Sequence, residues 1–589
     1  MTIQYALDKT RKDISTAIAE TVREEYDIDF ENSDAELEVP KTQKMGELAF
    51  ATQSAARRAK TTPPDLASQL AVTLEDEEIA MLSKVEHVGP YVNFKLSDEF
   101  YNQATSEALA MGNNYGPRDT NKGKTAIVEY SAPNTGKPMH FGHIRSTILG
   151  DAAKRLLASQ GYKTIAMNYL GDSGSHVAEL LVALKTFKDL PEVKTEQDLL
   201  QYYIKIKKEI DAKPELKKQA EELQAAFEKG DTSVAKEIQK IWALSTPAFN
   251  ANYELLGVKF DETLGESAFV KQALDIAKEA QQKKVAVKEK DGSVVVKLEK
   301  QKLQDKVLLR ANGTTLYFSR DLALADYKWN KYKFDTSYIF TAQEQNLHFK
   351  QLQKTLELLG RPYFARYKHV GFGLINLPEG KMSTREGRVV LLQEVLSQTI
   401  DEAKRELKKR QKEEKSAAAK EATSKYSEED LDKIAFEVGL GSLKFGVLRV
   451  AAEKNIVFDT KKIVSFEGDT GAYVQYSAVR CRKIIAKSKL SKIQVPNERK
   501  LNDFEKRLSF TIARYPEVLA SAANSVTAHT ICEYALELAS AFSSFYENCP
   551  VLQAPDDKTK LGRLALVKAT QNTLENALDI LGISVPEKM

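Results

Sequence analysis

Two histidines three residues apart, His140 and His143, flank Gly142 where a polar loop passes into a helix, and Lys137 precedes them in that loop. Behind them Ile144, Ile148, Leu149, Ala152, Leu156 and Leu157 recur at helical spacing, with Gly161 as the expected C-cap. Ahead of the loop, the β-branched run 125–130 reads as a buried strand, and 163–170 reads as the next one. Strand, loop, helix and strand form a βαβ unit whose helix opens on imidazoles. A helix N-terminus offers free N–H groups and the positive end of its dipole, so the chemistry that suits this mouth is the holding of nucleotide phosphates. The same spacing could serve a zinc ion, but no carboxylate or cysteine partner stands nearby in sequence and the helix starts at once, which favours phosphate and no metal.

The elements that must position this mouth are spread over 589 residues, enough for about three to five domains. Hydrophobic content of 42% supports several cores, and a net charge of +3 announces no nucleic-acid partner by bulk charge, so an RNA site must be a local basic face. Cys481, Cys532 and Cys549 lie far apart, without a CxxC pair, which fits a reducing cytoplasm better than a disulfide framework. No run of about 18 apolar residues and no N-terminal apolar segment occurs, so the expectation is a soluble cytoplasmic protein without a membrane partner.

The expected fold class is α/β, a Rossmann-like parallel-sheet domain at 124–395 interrupted by a lysine- and glutamate-rich insertion at about 185–300. An α+β domain precedes it at 1–112, closing in a hairpin that turns at Gly89-Pro90. Within the insertion a hairpin turns at Asp291-Gly292, and a second turns at Asn312-Gly313. Runs 314–318, 336–341 and 368–375 read as further strands. A helical linker at 396–455 and an all-α bundle at 456–589 follow. The charged run 401–425 has the composition of a solvated helix face.

Several segments carry a family likeness. Val128-Glu129-Tyr130-Ser131-Ala132-Pro133-Asn134, then Lys137-Pro138 and His140-x-Gly142-His143, come first. Asn168-Tyr169-Leu170-Gly171-Asp172, Tyr317-x-x-x-Asp321, Lys381-Met382-Ser383-Thr384-Arg385 and the run 466–476 follow in order, before a chain end of Val-Pro-Glu-Lys-Met. The first group resembles the signature of class I aminoacyl-tRNA synthetases, and the whole set is similar to the arginyl-tRNA synthetase family. The resemblance implies activation of L-arginine by ATP and Mg2+ to arginyl-adenylate and pyrophosphate, then esterification of tRNA(Arg) at its 3′ end, by a monomer that needs bound tRNA for the first step.

The resemblance also implies roles. His140, His143, Lys137 and Lys381 would be catalytic. ATP would meet His140, Gly142, His143, Lys381, Met382, Ser383 and Arg385. Arginine would lie among Glu129, Ser131, Asn134, Tyr317, Asp321 and Gln345, with Asp321 taking the guanidinium, Glu129 sharing that charge or orienting the substrate, and Asn134 holding the backbone carboxylate or amine. The N-terminal domain would meet the tRNA elbow through Asn93 and Phe94, and the helical bundle would meet the anticodon through Tyr473, Arg480 and Met589. Tyr473 has a second reading as a core aromatic. Two departures stand out. Thr384 replaces the second lysine of the family's mobile loop, with Lys137 as the substitute charge. Ser173 stands where relatives carry Trp, which leaves the support of the tRNA 3′ adenosine open.

A carboxylate that attacks the α-phosphorus of ATP is already nucleophilic, so such a site needs alignment and neutralised phosphate charge and no activated serine or cysteine. The rival readings are another class I synthetase, a small-molecule nucleotidylyltransferase, and an RNA-binding paralogue without catalysis. Zinc cysteines and a large editing insertion, which mark several other class I members, are not found in this sequence.

Overall fold

The computed structural model describes residues 3–40, 42, 45–376, 391–417 and 427–589, the side chains of 411–417 excepted. Its centre is a five-stranded, all-parallel sheet: Thr125–Glu129, Lys163–Leu170, Glu262–Gly265, Thr336–Ala342 and Tyr367–Phe372. Numbered in chain order, the strands lie 3-2-1-4-5 across the sheet. The order therefore reverses between Thr125–Glu129 and Thr336–Ala342, and such a switch point opens a crevice beyond the carboxyl ends of the two strands. The strand Thr125–Glu129 is buried on both faces apart from its first residue, as expected for a strand with helices above and below.

The helix Phe141–Ala158 packs directly on this sheet because Gly150 faces Tyr130. A Cβ at Gly150 would lie 2.1 Å from Tyr130 Cγ, so only glycine admits the contact. The other side of that helix joins a core that runs on into the C-terminal helices. Ile144, Ile148 and Leu156 belong to one continuous apolar cluster with Leu443, Cys481, Leu538 and Leu566. Polar ties cross the same boundary: Lys444, on the helix Glu428–Leu448, is held between Asp151 and the Gly582 carbonyl, and Arg155 Nε donates to Asp151 at 2.9 Å.

Two expectations are corrected here. The run 314–318 is no strand: the helix Tyr317–Tyr332 begins inside it, and Ser319 Oγ accepts the Leu316 N–H at 3.1 Å, so a local cap outcompetes a short β-branched run. Residues 262–265, placed by sequence within the insertion, form the edge strand of the main sheet. Four residues with partial burial carry too little alternation to be read as a strand.

Around this centre, the helices Glu196–Glu209, Pro214–Glu228 and Thr232–Leu255 enclose a small core of their own with the helix Ser175–Thr186. Strands Ala286–Lys288, Val294–Val296 and Lys306–Leu309 form a separate antiparallel sheet, with the Asp291-Gly292 turn in its first hairpin. The N-terminal region sets the helices Ala6–Tyr26 and Pro63–Asp76 on a four-stranded antiparallel sheet. It contacts the rest through the Arg118–Asp8 pair at 2.7 Å and the Tyr5–Tyr115–Tyr515 ring series. No helix among the described residues is long and apolar enough to cross a membrane.

Candidate active site

Several of the residues singled out by sequence follow the carboxyl ends of Thr125–Glu129 and Thr336–Ala342, the two strands at the switch point. Beyond Glu129 the chain turns sharply, with Ser131 and Ala132 both at positive φ (76° and 49°), a conformation that costs non-glycine residues on the order of 1–3 kcal/mol each. Buried hydrogen bonds hold the turn: the Ser131 N–H donates to Ser146 Oγ at 3.0 Å, and Ser131 Oγ lies 2.9 Å from both Tyr253 Oη and Thr147 Oγ1. The Ser131 hydroxyl is thus engaged within the protein, at the residue expected to line the arginine pocket. Asn134 follows, bridged to Gly171 across the loop, with its Oδ1 directly over that glycine.

His140 and His143 stack, with ring centroids 3.9 Å apart. His140 is the N-cap: its Nδ1 accepts the Gly142 N–H at 3.1 Å, while His143 Nδ1 faces the His140 N–H at 3.3 Å. A nitrogen that accepts from a backbone N–H carries no proton, so in both neutral rings the proton resides on Nε2. Burial, then the charge of Lys137, holds the His140 pKa below its usual value, and burial with the stacked neighbour pushes His143 lower still. The mouth therefore presents two neutral Nε2–H donors together with the helix N-terminus. Lys137 rests its ammonium 4.1 Å from the centroid of Tyr203, a ring of the helix Glu196–Glu209. Lys381, Met382, Ser383 and Arg385 lie outside the described residues.

Arg145, one turn into the same helix, is fully buried and, among the described residues, has no carboxylate in hydrogen-bond contact. Its guanidinium donates to the carbonyls of Gly373, Ala452 (3.0 Å) and Lys454 (2.7 Å), tying the histidine-bearing helix to the strand end that leads toward residue 377. Sequence reading passed over it, although its place two residues after His143 was the available signal.

Beside the mouth lies a densely charged wall. Asp321 Oδ2 is 2.7 Å from His348 Nε2 and remains partly accessible. Glu129 is buried, and Lys328 donates to it and, at 3.2 Å, to the Tyr367 hydroxyl. Burial raises the Glu129 pKa while the Lys328 charge opposes the rise. Glu129, expected to share the guanidinium's charge or to orient the substrate, thus already has an ammonium of the same chain as a partner. Lys328 is seven residues beyond Asp321 on one helix and so on the same face, a signal present in the sequence. Next door, Arg320 is buried against Glu266, with Nη2 at 2.8 Å, and donates to Thr315 Oγ1 at 2.8 Å. Burial lifts the Glu266 carboxyl to about 7. Tyr169 is buried between these groups with a hydroxyl that has no hydrogen-bond partner among the described residues, and it feels the charges of Glu266, Asp321 and Glu129. Tyr317, 52% exposed, and Gln345, on the turn Gln343–Gln345 after Thr336–Ala342, stand at the rim.

The residues expected to meet RNA divide. Asn93 and Phe94 are fully buried in the strand Tyr91–Leu96, which removes them from any surface contact. Period-two alternation missed this because both faces of that strand are covered. Tyr473 is half-buried against the core, matching its second reading in part. Arg480 lies 3.9 Å over the ring of Tyr546, an exposed aromatic that sequence reading missed. Met589 is buried, its carbonyl accepting from Lys483, and Lys588 pairs with Asp430 at 2.9 Å, so the chain end is docked.

Comparison with known proteins places this geometry. Residues 104–460 match the family described as "tRNA synthetases class I (R), catalytic domain". Residues 474–589 match "DALR anticodon binding domain", and 8–96 match "Arginyl tRNA synthetase N terminal domain". The chain thus carries the catalytic domain of a class I aminoacyl-tRNA synthetase. The arginine–tRNA ligases of Clostridium perfringens and Clostridioides difficile are 34% and 35% identical to this chain, each match covering 98% of it and 100% of the relative. The fold is also that of the arginyl-tRNA synthetase of Thermus thermophilus, with a TM-score of 0.78 at 24% identity over 98% of this chain and 100% of that one. The chain belongs to the arginine–tRNA ligase family.

Proposed function

We propose that this ATP-dependent ligase joins L-arginine to tRNA(Arg) with a division of labour that follows from the crevice. The two Nε2–H donors and the helix N-terminus hold the triphosphate, and the wall at Asp321 takes the guanidinium. The arginine carboxylate attacks the α-phosphorus, the bond from that phosphorus to the α,β-bridging oxygen breaks, and pyrophosphate leaves with that oxygen. The tautomers of His140 and His143 carry the reading, because their Nδ1 partners leave a proton on each outward nitrogen. Neutral donors bind phosphate without titrating near pH 7, and they fit charge that grows on phosphate oxygens in the transition state. Magnesium enters on the nucleotide in this reading, since no group of three or more metal-ligating side chains occurs among the described residues and Mg2+ readily keeps phosphate and water ligands. It would offset phosphate charge.

A guanidinium offers five donors in a planar fork, and a site built to pair them leaves groups unpaired when lysine enters, which supports discrimination of about 10⁴ without editing. Pyrophosphate exchange with each of the twenty amino acids and total tRNA tests the assignment: exchange with arginine alone is expected, and exchange with another amino acid at comparable rate overturns it.

Lys137, in the loop that leads to His140, would add positive charge on the phosphates in this reading. Lys137→Ala is expected to lower the exchange rate about 10²-fold with little change in arginine affinity, and a wild-type rate would remove it from the mechanism. The first step is expected to depend on bound tRNA, and equal exchange rates with and without tRNA would refute that dependence.

On the RNA side, an exposed Tyr546 capped by Arg480 supplies a ring and a charge of the kind that unstacked anticodon bases need. The protein acts as a cytoplasmic monomer in this reading, and a sedimentation profile independent of concentration is the expected result.

A further inference from the structure

Glu129, Glu266 and Asp321 share one electrostatic neighbourhood in the wall beside the nucleotide mouth, for both glutamates feel the charge of Asp321. Two of the three have a lysine or arginine as partner: Glu129 has Lys328, and Glu266 has Arg320. Asp321 differs. Among the described residues no lysine or arginine is in ion-pair contact with it, and the group at 2.7 Å from its Oδ2 is His348 Nε2. Lys306 is near enough to sense Asp321, but its ammonium lies over the Phe318 ring, 5.5 Å from the centroid. The Asp321 side chain is also the most accessible of the three, at 18% against 13% for Glu266 and 8% for Glu129. The carboxylate that a solute can best reach is thus the one without a cation of the chain in contact.

His348 holds that carboxylate from a fixed place. It lies near the start of the helix Asn346–Leu358, and its ring packs edge-on against Phe318, with centroids 5.4 Å apart at 89°, and against Phe349 at 5.1 Å. Phe318 stands one turn before Asp321 on the helix Tyr317–Tyr332, so the ring is set against the same helix that carries the carboxylate. A carboxylate oxygen accepts, so His348 Nε2 carries the proton and donates to Oδ2. Each carboxylate oxygen has two lone pairs. Oδ2 therefore keeps one site for an incoming N–H, and Oδ1 accepts no hydrogen bond among the described residues, which leaves both oxygens open to a guanidinium fork. An imidazole donates this bond without the fixed charge that lysine or arginine would bring. We propose that His348 is the positioning residue of the arginine slot: it orients Asp321 for a bidentate grip on the guanidinium and leaves the negative charge of that carboxylate to the substrate. This rests on the reading that Asp321 takes the guanidinium.

The test is arginine-dependent pyrophosphate exchange with tRNA present, on single and double variants of the full chain. His348→Leu is expected to raise the KM for arginine at least about tenfold, while the KM for ATP and the rate at saturating arginine stay within about threefold. His348→Gln, whose amide donates from a similar reach, should recover most of the loss, and His348→Lys, which donates but adds a cation, should not. In an Asp321→Asn background His348→Leu should add less than about threefold, because the group it positions is gone. A role in packing alone would leave His348→Gln as impaired as His348→Leu and would add the same loss in the Asp321→Asn background, and either result overturns the proposal. So does a large effect of Asp321→Asn beside an unchanged KM in His348→Leu, or wild-type affinity in His348→Lys; these leave the slot at Asp321 standing. An arginine KM unmoved by Asp321→Asn removes the slot itself, and the role of His348 with it.

Discussion

Lys328→Met should loosen the centre of the sheet by about 3–5 kcal/mol, because it leaves the Glu129 carboxylate buried without its counter-ion. Desolvation already pushes that carboxyl upward, and Lys328 is the charge that opposes it. Without the ammonium, Glu129 must take a proton or draw in water, and either breaks the packing around Tyr367. Hydrogen-exchange mass spectrometry of the peptide containing 125–129 is the direct measurement, with exchange faster by on the order of 10²–10³-fold. Lys328→Met combined with Glu129→Gln should recover most of the loss, since replacing both ends of a buried pair costs far less than removing one. A single variant whose exchange matches wild type would show that the pair contributes nothing to holding the strand.

Asp321→Asn carries the second large effect, on catalysis. Asp321 is a partly accessible carboxylate of the wall, paired among the described residues with the His348 imidazole, whereas Glu129 is paired with Lys328. Removing one partner of a desolvated charge pair costs about 2–5 kcal/mol, which corresponds to a fall of about 10²–10³-fold in kcat/KM for arginine. The KM for ATP should stay within about threefold, because the triphosphate is held at the other side of the crevice. A fall in arginine kcat/KM smaller than about threefold would move the guanidinium away from Asp321.

Much of the fold was legible because its signals are local. The βαβ unit announced itself through a β-branched run, a polar loop and helical periodicity, and the strands Lys163–Leu170 and Thr336–Ala342 stand where the pattern put them. The misreadings have two causes. The four-residue edge strand at Glu262–Gly265 is decided by pairing with a strand about a hundred residues earlier, which pattern within a window does not contain, whereas the helix start at Tyr317 is decided by a local cap at Leu316 and Ser319 that a β-branched run concealed. The site followed the first of these. The histidine mouth was visible, as was Asp321, but the state of Glu129 was not, because charge neutralisation depends on a lysine 199 residues away. Burial misled the reading of Asn93 and Phe94 in the same way: a strand covered on both faces gives no hint from its own sequence of which side chains reach solvent.

The apolar cluster that runs from the histidine-bearing helix into the C-terminal helices has a bearing on engineering. A recognition module joined by a tether can be exchanged between relatives as a cassette, but this one is welded to the reaction centre through Ile144, Ile148 and Leu156. A chimaera with a foreign bundle would have to bring a complementary surface for that helix, together with a receptor for Lys444, or the imidazoles would lose their alignment along with the specificity being transplanted.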